Sequence, residues 1–238
     1  MKSIRSCLGI VCTASLVACG GGGGGASAEG GAVSGGLVAS NLSFPLRAGF
    51  QSELSQASSN SFTITGSCSG AATETDSAAS ATTFEGQPSM ATTSTVTGTF
   101  SNCTPASFAS TGRDYYDTNY KPIGSENIGT EYSVYSTSTD LPVSVAVGNT
   151  AQFAVADVYT SNTKATRIGT TNISYVIEAD SATTAIVNVI AKRYNTSSQL
   201  LFTQQTRYRI NASGQLTALS KDVQYSTTST AHLLWTKN

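Results

Sequence analysis

An all-β fold is predicted: an antiparallel meander that curls into a curved sheet or half-barrel, or packs as a sandwich. Three observations predict it. The 238 residues are 11% charged and 39% hydrophobic with a mean hydropathy of −0.05, a neutral Ser/Thr/Gly-rich chain of the kind sheets use. From Thr130 onward, strand-length runs of β-branched and aromatic residues alternate with polar turns. Those turns carry Asn and Gly, which supply the left-handed backbone that tight hairpins require. The same figures exclude a disordered polyelectrolyte, a coiled coil and a polytopic helical membrane protein. With 13 basic and 14 acidic residues, the formal charge of −1 offers no electrostatic footprint for nucleic acid.

In chain order, residues 1–18 come first. A basic start at Lys2 and Arg5 precedes an apolar stretch through Leu8, Ile10, Val11, Leu16 and Val17, too short to remain as a membrane span. The stretch ends Leu16-Val17-Ala18-Cys19, which resembles the lipobox of bacterial lipoproteins. The resemblance implies cleavage before Cys19, a diacylglyceryl group on its thiol and an acyl chain such as palmitate on the new amino group. Several acyl chains anchor stably where one is marginal. Gly20 after the cysteine is compatible, by the same resemblance, with sorting to the outer membrane. The expected location is therefore the bacterial cell envelope, with the membrane as a partner through the N-terminal lipid. Six glycines, Gly20 to Gly25, open a Gly/Ala/Ser-rich tether that runs to residue 36. About 17 such residues reach roughly 20–25 Å. Loss of Lys2 and Arg5 with the signal leaves a mature charge of about −3.

A single all-β domain is assigned to residues 37–238. Its first element is a short amphipathic helix, because Leu42, Leu46, Phe50 and Leu54 recur every fourth residue behind Ser43 and Pro45. Gly49 opposes it. With Cys7 and Cys12 removed and Cys19 acylated, Cys68 and Cys103 are the pair left to form a disulfide in an oxidising compartment. Gly66-Ser67-Cys68-Ser69-Gly70 also resembles the nucleophile elbow of some α/β-hydrolases with Cys in place of Ser. An elbow needs a following helix and a His base, but Ala71 to Ser80 is Thr-rich without a helical stripe, and the chain has one histidine, His232. The segment from Ala71 to Thr99 alternates weakly, so edge strands and long loops tied by the disulfide are expected there.

The second half is a series of strands. Tyr132-Val134, Val143-Val145-Val147 and Phe153 to Tyr159 precede the clearest runs: Ile173 to Glu178, Ala185 to Tyr194, Leu200 to Ile210, Leu216 to Tyr225 and Ala231 to Trp235. Leu200, Phe202, Tyr208 and Ile210 share one face, and Thr203, Gln205, Arg207 and Arg209 the other, so one face is buried and one is wet. Arg193 is expected beside Arg207 and Arg209 on the wet face. Tyr194-Asn-Thr-Ser-Ser-Gln-Leu200 and Ile210-Asn-Ala-Ser-Gly-Gln-Leu216 share their turn chemistry, with Tyr116-Asp-Thr-Asn-Tyr-Lys-Pro122 a looser relative.

The densest aromatic and polar cluster is Arg113 to Tyr120. Tyr115, Tyr116, Asp117, Asn119 and Tyr120 are the residues expected to hold a ligand if the chain binds one, since tyrosine rings stack on pyranose faces while carboxylates and amides bond hydroxyls. A hairpin turn at Asp117-Thr-Asn119 with tyrosines capping the core edge is the plainer reading. No catalytic group, cofactor or metal site is assigned. Lys121 stands where a calcium loop would need its next ligand. The reading is a membrane-anchored envelope lipoprotein with a non-enzymatic binding or structural role. The alternatives are an amphiphile carrier with a half-barrel cavity, by architectural resemblance to the half-barrel lipoproteins of lipid traffic, and a glycan-binding module.

Overall fold

The computed structural model describes residues 37–226 and 231–238. The signal, Cys19 and the tether to residue 36 lie outside those residues. One helix, α1 (Leu46–Leu54), is followed by thirteen strands. These are β1 (Ser58–Gly66), β2 (Gly70–Asp76), β3 (Ser80–Phe84), β4 (Gln87–Phe100), β5 (Ser107–Tyr116), β6 (Pro122–Asn127) and β7 (Glu131–Ser138). They continue as β8 (Thr150–Tyr159), β9 (Arg167–Ala179), β10 (Thr184–Tyr194), β11 (Leu200–Asn211), β12 (Leu216–Tyr225) and β13 (His232–Lys237).

Every neighbouring pair is antiparallel, and β4 to β13 follow the chain in order, the predicted meander. The fold is a closed barrel of 12 strands, neither an open half-barrel nor a sandwich. Two pairings close it. β1 pairs with β13, Ile64 opposite Trp235, and β2 pairs with β4, Thr73 opposite Thr97. β3 stands outside the ring. It pairs with the first part of β4, on the edge that β2 uses further along. Closure leaves no edge between β1 and β4 unpaired, which removes the usual hazard of a large open sheet.

The segment expected to be edge strands and long loops is thus the seam of the barrel, all of its strands paired. Its weak alternation has a physical cause. The inward positions of β2 and β4 include Glu74, Asp76, Ser94 and Val96, all buried, while the outward positions are Thr and Ala, so polar residues stand on both faces. Period two is present, but hydrophobicity does not report it. The Val143-Val145-Val147 run, by contrast, is no strand. Val145 makes one isolated bridge to Phe44 in the long connection after β7.

The helix forms where Leu46, Phe50 and Leu54 predict it, one residue after Pro45 and without a side-chain cap. Nine residues are too few to be stable alone. Tertiary packing holds it, because Phe44, Leu46 and Phe50 enter the barrel against residues such as Ile177, Tyr208, Ile210 and Leu216. Gly49, the residue that opposes a helix, is what lets this one seat: a Cβ there would stand 2.4 Å from the carbonyl oxygen of Gly214 in the β11–β12 turn. Arg47 Nε donates to Leu141 O at 2.7 Å, and Gln51 Nε2 to Asn119 O at 3.3 Å. The helix therefore plugs the end of the barrel formed by the turns after β5, β7, β9 and β11.

A second apolar cluster, Phe62, Ile64, Cys68, Ala72, Val96, Phe100, Leu233 and Trp235, fills the opposite end. The Cys68–Cys103 disulfide, with Cα atoms 5.7 Å apart, ties the β1–β2 turn to the loop after β4 there. The expected pairing is thus present. The three related turns share one hydrogen-bond pattern. Asn195, Asn211 and Asp117 each accept, through Oδ1, the backbone N–H groups two and four residues on, at 2.8–3.1 Å. The residue three positions on is left-handed in each: Ser198 at φ 61°, Gly214 at 82° and Tyr120 at 64°. Such a turn is local chemistry, which explains its recurrence at irregular spacing.

Candidate functional site

The aromatic cluster is divided by the pleat. Tyr115 and Tyr116 are consecutive on β5 and point to opposite faces, and both are buried. Tyr116 lies on the inward side of the wall. Tyr115 faces outward but is covered, because the β3–β4 hairpin folds over the outside of the barrel and lays Phe84 on it, ring centroids 4.4 Å apart. Tyr132 of β7 is the other wall of this external core, 5.5 Å from the Phe84 ring. Gly124 forms its floor, where a Cβ would stand 2.0 Å from Phe84 Cζ. The exposed, coplanar tyrosine platform that a sugar site needs is therefore not formed by Tyr115, Tyr116 and Tyr120.

The polar rim of this external core is an ion-pair latch. Tyr132 donates its hydroxyl to Glu85 Oε1 at 2.7 Å, and Lys164 pairs with Glu85 Oε2. The Lys164 hydrogen bond, then the Tyr132 hydrogen bond, hold the Glu85 carboxyl below its ordinary 4.5. Burial first, then the Glu85 hydrogen bond, push the Tyr132 phenol well above its ordinary range. Tyr115 is raised too, chiefly by burial, with its hydroxyl donating to Glu126 Oε1 at 2.9 Å. Neither phenol is poised to lose a proton near neutrality.

Asp117 spends its Oδ1 on the turn, as described. Asn119 and Tyr120 line a small basin with Arg47, Gln51, Lys121 and Asp140 at the plugged end; about 10 Å³ of room admits one water. Among the described residues no group of three or more His, Cys, Asp or Glu could hold a metal ion. His232 faces outward on β13 and meets Asp222 Oδ1 at 2.9 Å, while Cys68, the nucleophile that the elbow would need, is held in its disulfide. Arg193 corrects the expected basic stripe. It points into the barrel, with its side chain 4% exposed, and pairs with Glu131 at 3.2 Å, while Arg207 and Arg209 are answered outside by Glu178 and Asp180.

Two features were missed in the sequence. The first is inside: Lys221 Nζ lies 2.7 Å from both oxygens of Glu74, the two residues buried, with the ammonium 5.5 Å from the centre of the Phe62 ring. Nothing local marks a pair 147 residues apart. The second is outside. The outward positions of β1, β2 and β4 are Ser59, Ser61, Thr63, Ala71, Thr73, Thr75, Thr95, Thr97 and Thr99, all exposed and in register, as in the row Ser61, Thr73, Thr97 and then Ala109 of β5. This wall carries no ionisable side chain. Ser61, Ala71, Thr73, Thr97, Thr99 and Asn238 line a shallow depression of about 380 Å³ in it. A signal did exist in the sequence: Thr93, Thr95, Thr97 and Thr99 alternate strictly.

No family model, no curated protein and no solved structure matches the chain.

Proposed function

We propose that the chain is a lipid-anchored protein of the bacterial envelope with a non-enzymatic binding role, exercised from the outside of its barrel. The observation that carries the binding half is the uncharged Ser/Thr wall of β1, β2 and β4 with its open depression, on a barrel whose interior is occupied by side chains. An uncharged, small-residue surface can approach a partner closely with little desolvation cost, since hydroxyls exchange water for partner hydrogen bonds more readily than ions do. The anchoring half rests on the lipobox at Leu16 to Cys19. An amphiphile carrier would need an apolar cavity where α1 and the two clusters now sit. That reading and the glycan platform have less support than the outer wall.

The test has two arms. In cells, Cys19→Ala should abolish lipid labelling and release the protein from the membrane fraction; unchanged mobility and location would refute the anchor. A photo-crosslinking residue at Thr97 should give a discrete adduct, and one at Thr217 on the outer face of β12 should not. Equal behaviour at the two positions would refute the wall as the binding face.

A further inference from the structure

Large apolar side chains are rare on this surface, and their placement is uneven. Among the described residues five are exposed: Leu37 at 79%, Val38 at 51%, Leu42 at 40%, Val143 at 67% and Ile128 at 52%. The first four share the plugged end. Val38 bridges Asp180, and Ser40 Oγ donates to Ala182 O at 2.8 Å, so this segment lies along the β9–β10 turn. It then crosses to the loop after β7, where Ser43 meets Ser144 and Phe44 bridges Val145; Leu42 and Val143 flank that bridge. Ile128 is alone at the other end, in the β6–β7 turn.

The same end is where the chain emerges. Residue 37 follows directly on the Gly-rich segment from Cys19, the lipid attachment point in the reading above. The charges around this rim are compensated: Asp180 by Arg209 at 2.7 Å, Asp140 by Arg47 at 3.8 Å, and Asp117 by Lys121 at 3.9 Å. An apolar rim with its ions paired, at the exit of a lipid tether, has one partner that the tether itself delivers.

We infer that the plugged end of the barrel docks on the bilayer surface, with Leu37, Val38, Leu42 and Val143 entering the interface between headgroups and acyl chains. The inference rests on the lipid-anchor reading. Four side chains are a weak membrane anchor by themselves. They need not be a strong one, because attachment to a lipid on the same chain makes the docking intramolecular and raises the effective concentration of the rim at the bilayer. Docking then fixes orientation: the disulfide end faces away from the membrane, and the threonine wall stands upright beside it, open to a partner.

Depth-dependent quenching tests this on the lipidated full chain, reconstituted in vesicles of phosphatidylethanolamine and phosphatidylglycerol with brominated acyl chains. The one native tryptophan, Trp235, is buried in the barrel and gives a constant background. Val143→Trp should be quenched several-fold more than Ile128→Trp. Adding Val38→Ser and Leu42→Ser to Val143→Trp should lower its quenching at least twofold while the protein stays with the vesicles. Equal quenching at the two ends, with lipid on Cys19 confirmed by mass, would overturn the inference alone. A mass showing no lipid on Cys19 would overturn the anchor reading and this inference with it.

Discussion

Lys221 and Glu74 form an ion pair inside the barrel, their side chains 8% and 1% exposed. Removing one partner leaves the other's charge buried without its counter-ion, which costs about 3–5 kcal/mol, whereas replacing both with apolar groups of similar volume is often neutral. Glu74→Leu and Lys221→Met are each expected to lose about 3–5 kcal/mol. For a domain of this size that is a fall in Tm of roughly 6–20 °C. Lys221→Met should be the worse of the two by about 0.5–2 kcal/mol, because it also removes the ammonium from the Phe62 ring. Glu74→Leu with Lys221→Met should cost less than either single change, so the cycle should return a coupling of at least about 2 kcal/mol. Denaturant unfolding of the four proteins at two salt concentrations measures this, and the coupling should barely move with salt, since screening does not reach a buried pair. Single variants within about 1 kcal/mol of the parent, the behaviour of a surface pair, or a double variant costing the sum of the singles, would refute the reasoning.

Three further outcomes follow from the geometry. Opening the disulfide by Cys68→Ser with Cys103→Ser frees a loop with a sequence separation of 35 and should cost about 4 kcal/mol in unfolding free energy; a loss under about 1 kcal/mol would show that the Phe62–Trp235 cluster holds this end unaided. Gly124→Ala should destabilise by about 1–3 kcal/mol through the Phe84 ring, and in a Phe84→Ala background it should cost almost nothing; equal costs in the two backgrounds would place the strain elsewhere. Glu85 and Asp180 have folded pKa values held below their ordinary 4.5 and 3.8, chiefly by hydrogen bonds from Lys164 and Arg209 respectively. A depressed carboxylate stabilises the fold above its unfolded pKa and loses that contribution as pH falls through the folded one. Lys164→Ala should therefore lower the denaturation midpoint at pH 7 and converge on the parent as pH drops below 4.5, and a gap that widened in acid would reverse the assignment.

What the sequence determined by itself was whatever depends on a few neighbouring residues. The runs from Ile173 to Trp235 alternate because an antiparallel strand wet on one face must, and β9 to β13 lie there. The turns at Asp117, Asn195 and Asn211 are set by one side chain bonding its own backbone two and four residues on. The cysteine pair was readable because Cys68 and Cys103 are the two cysteines from residue 37 onward. Whatever depends on distant partners was settled by folding. β2 and β4 close the barrel with Glu74, Asp76 and Ser94 turned inward, positions that read as edge strand or loop because burial of polar groups is licensed only by partners such as Lys221, far along the chain. Tyr115 and Tyr116 look like one cluster, yet the pleat sends them to opposite faces, and the hairpin that covers Tyr115 is placed by the floor at Gly124. Arg193 turns inward to Glu131, and Gly49 serves the helix it would weaken in isolation because the carbonyl of Gly214 needs the space. Local conformational preference acts within a turn or a strand, while closure, burial of ions and close backbone approach are properties of residues that meet only once the chain has folded.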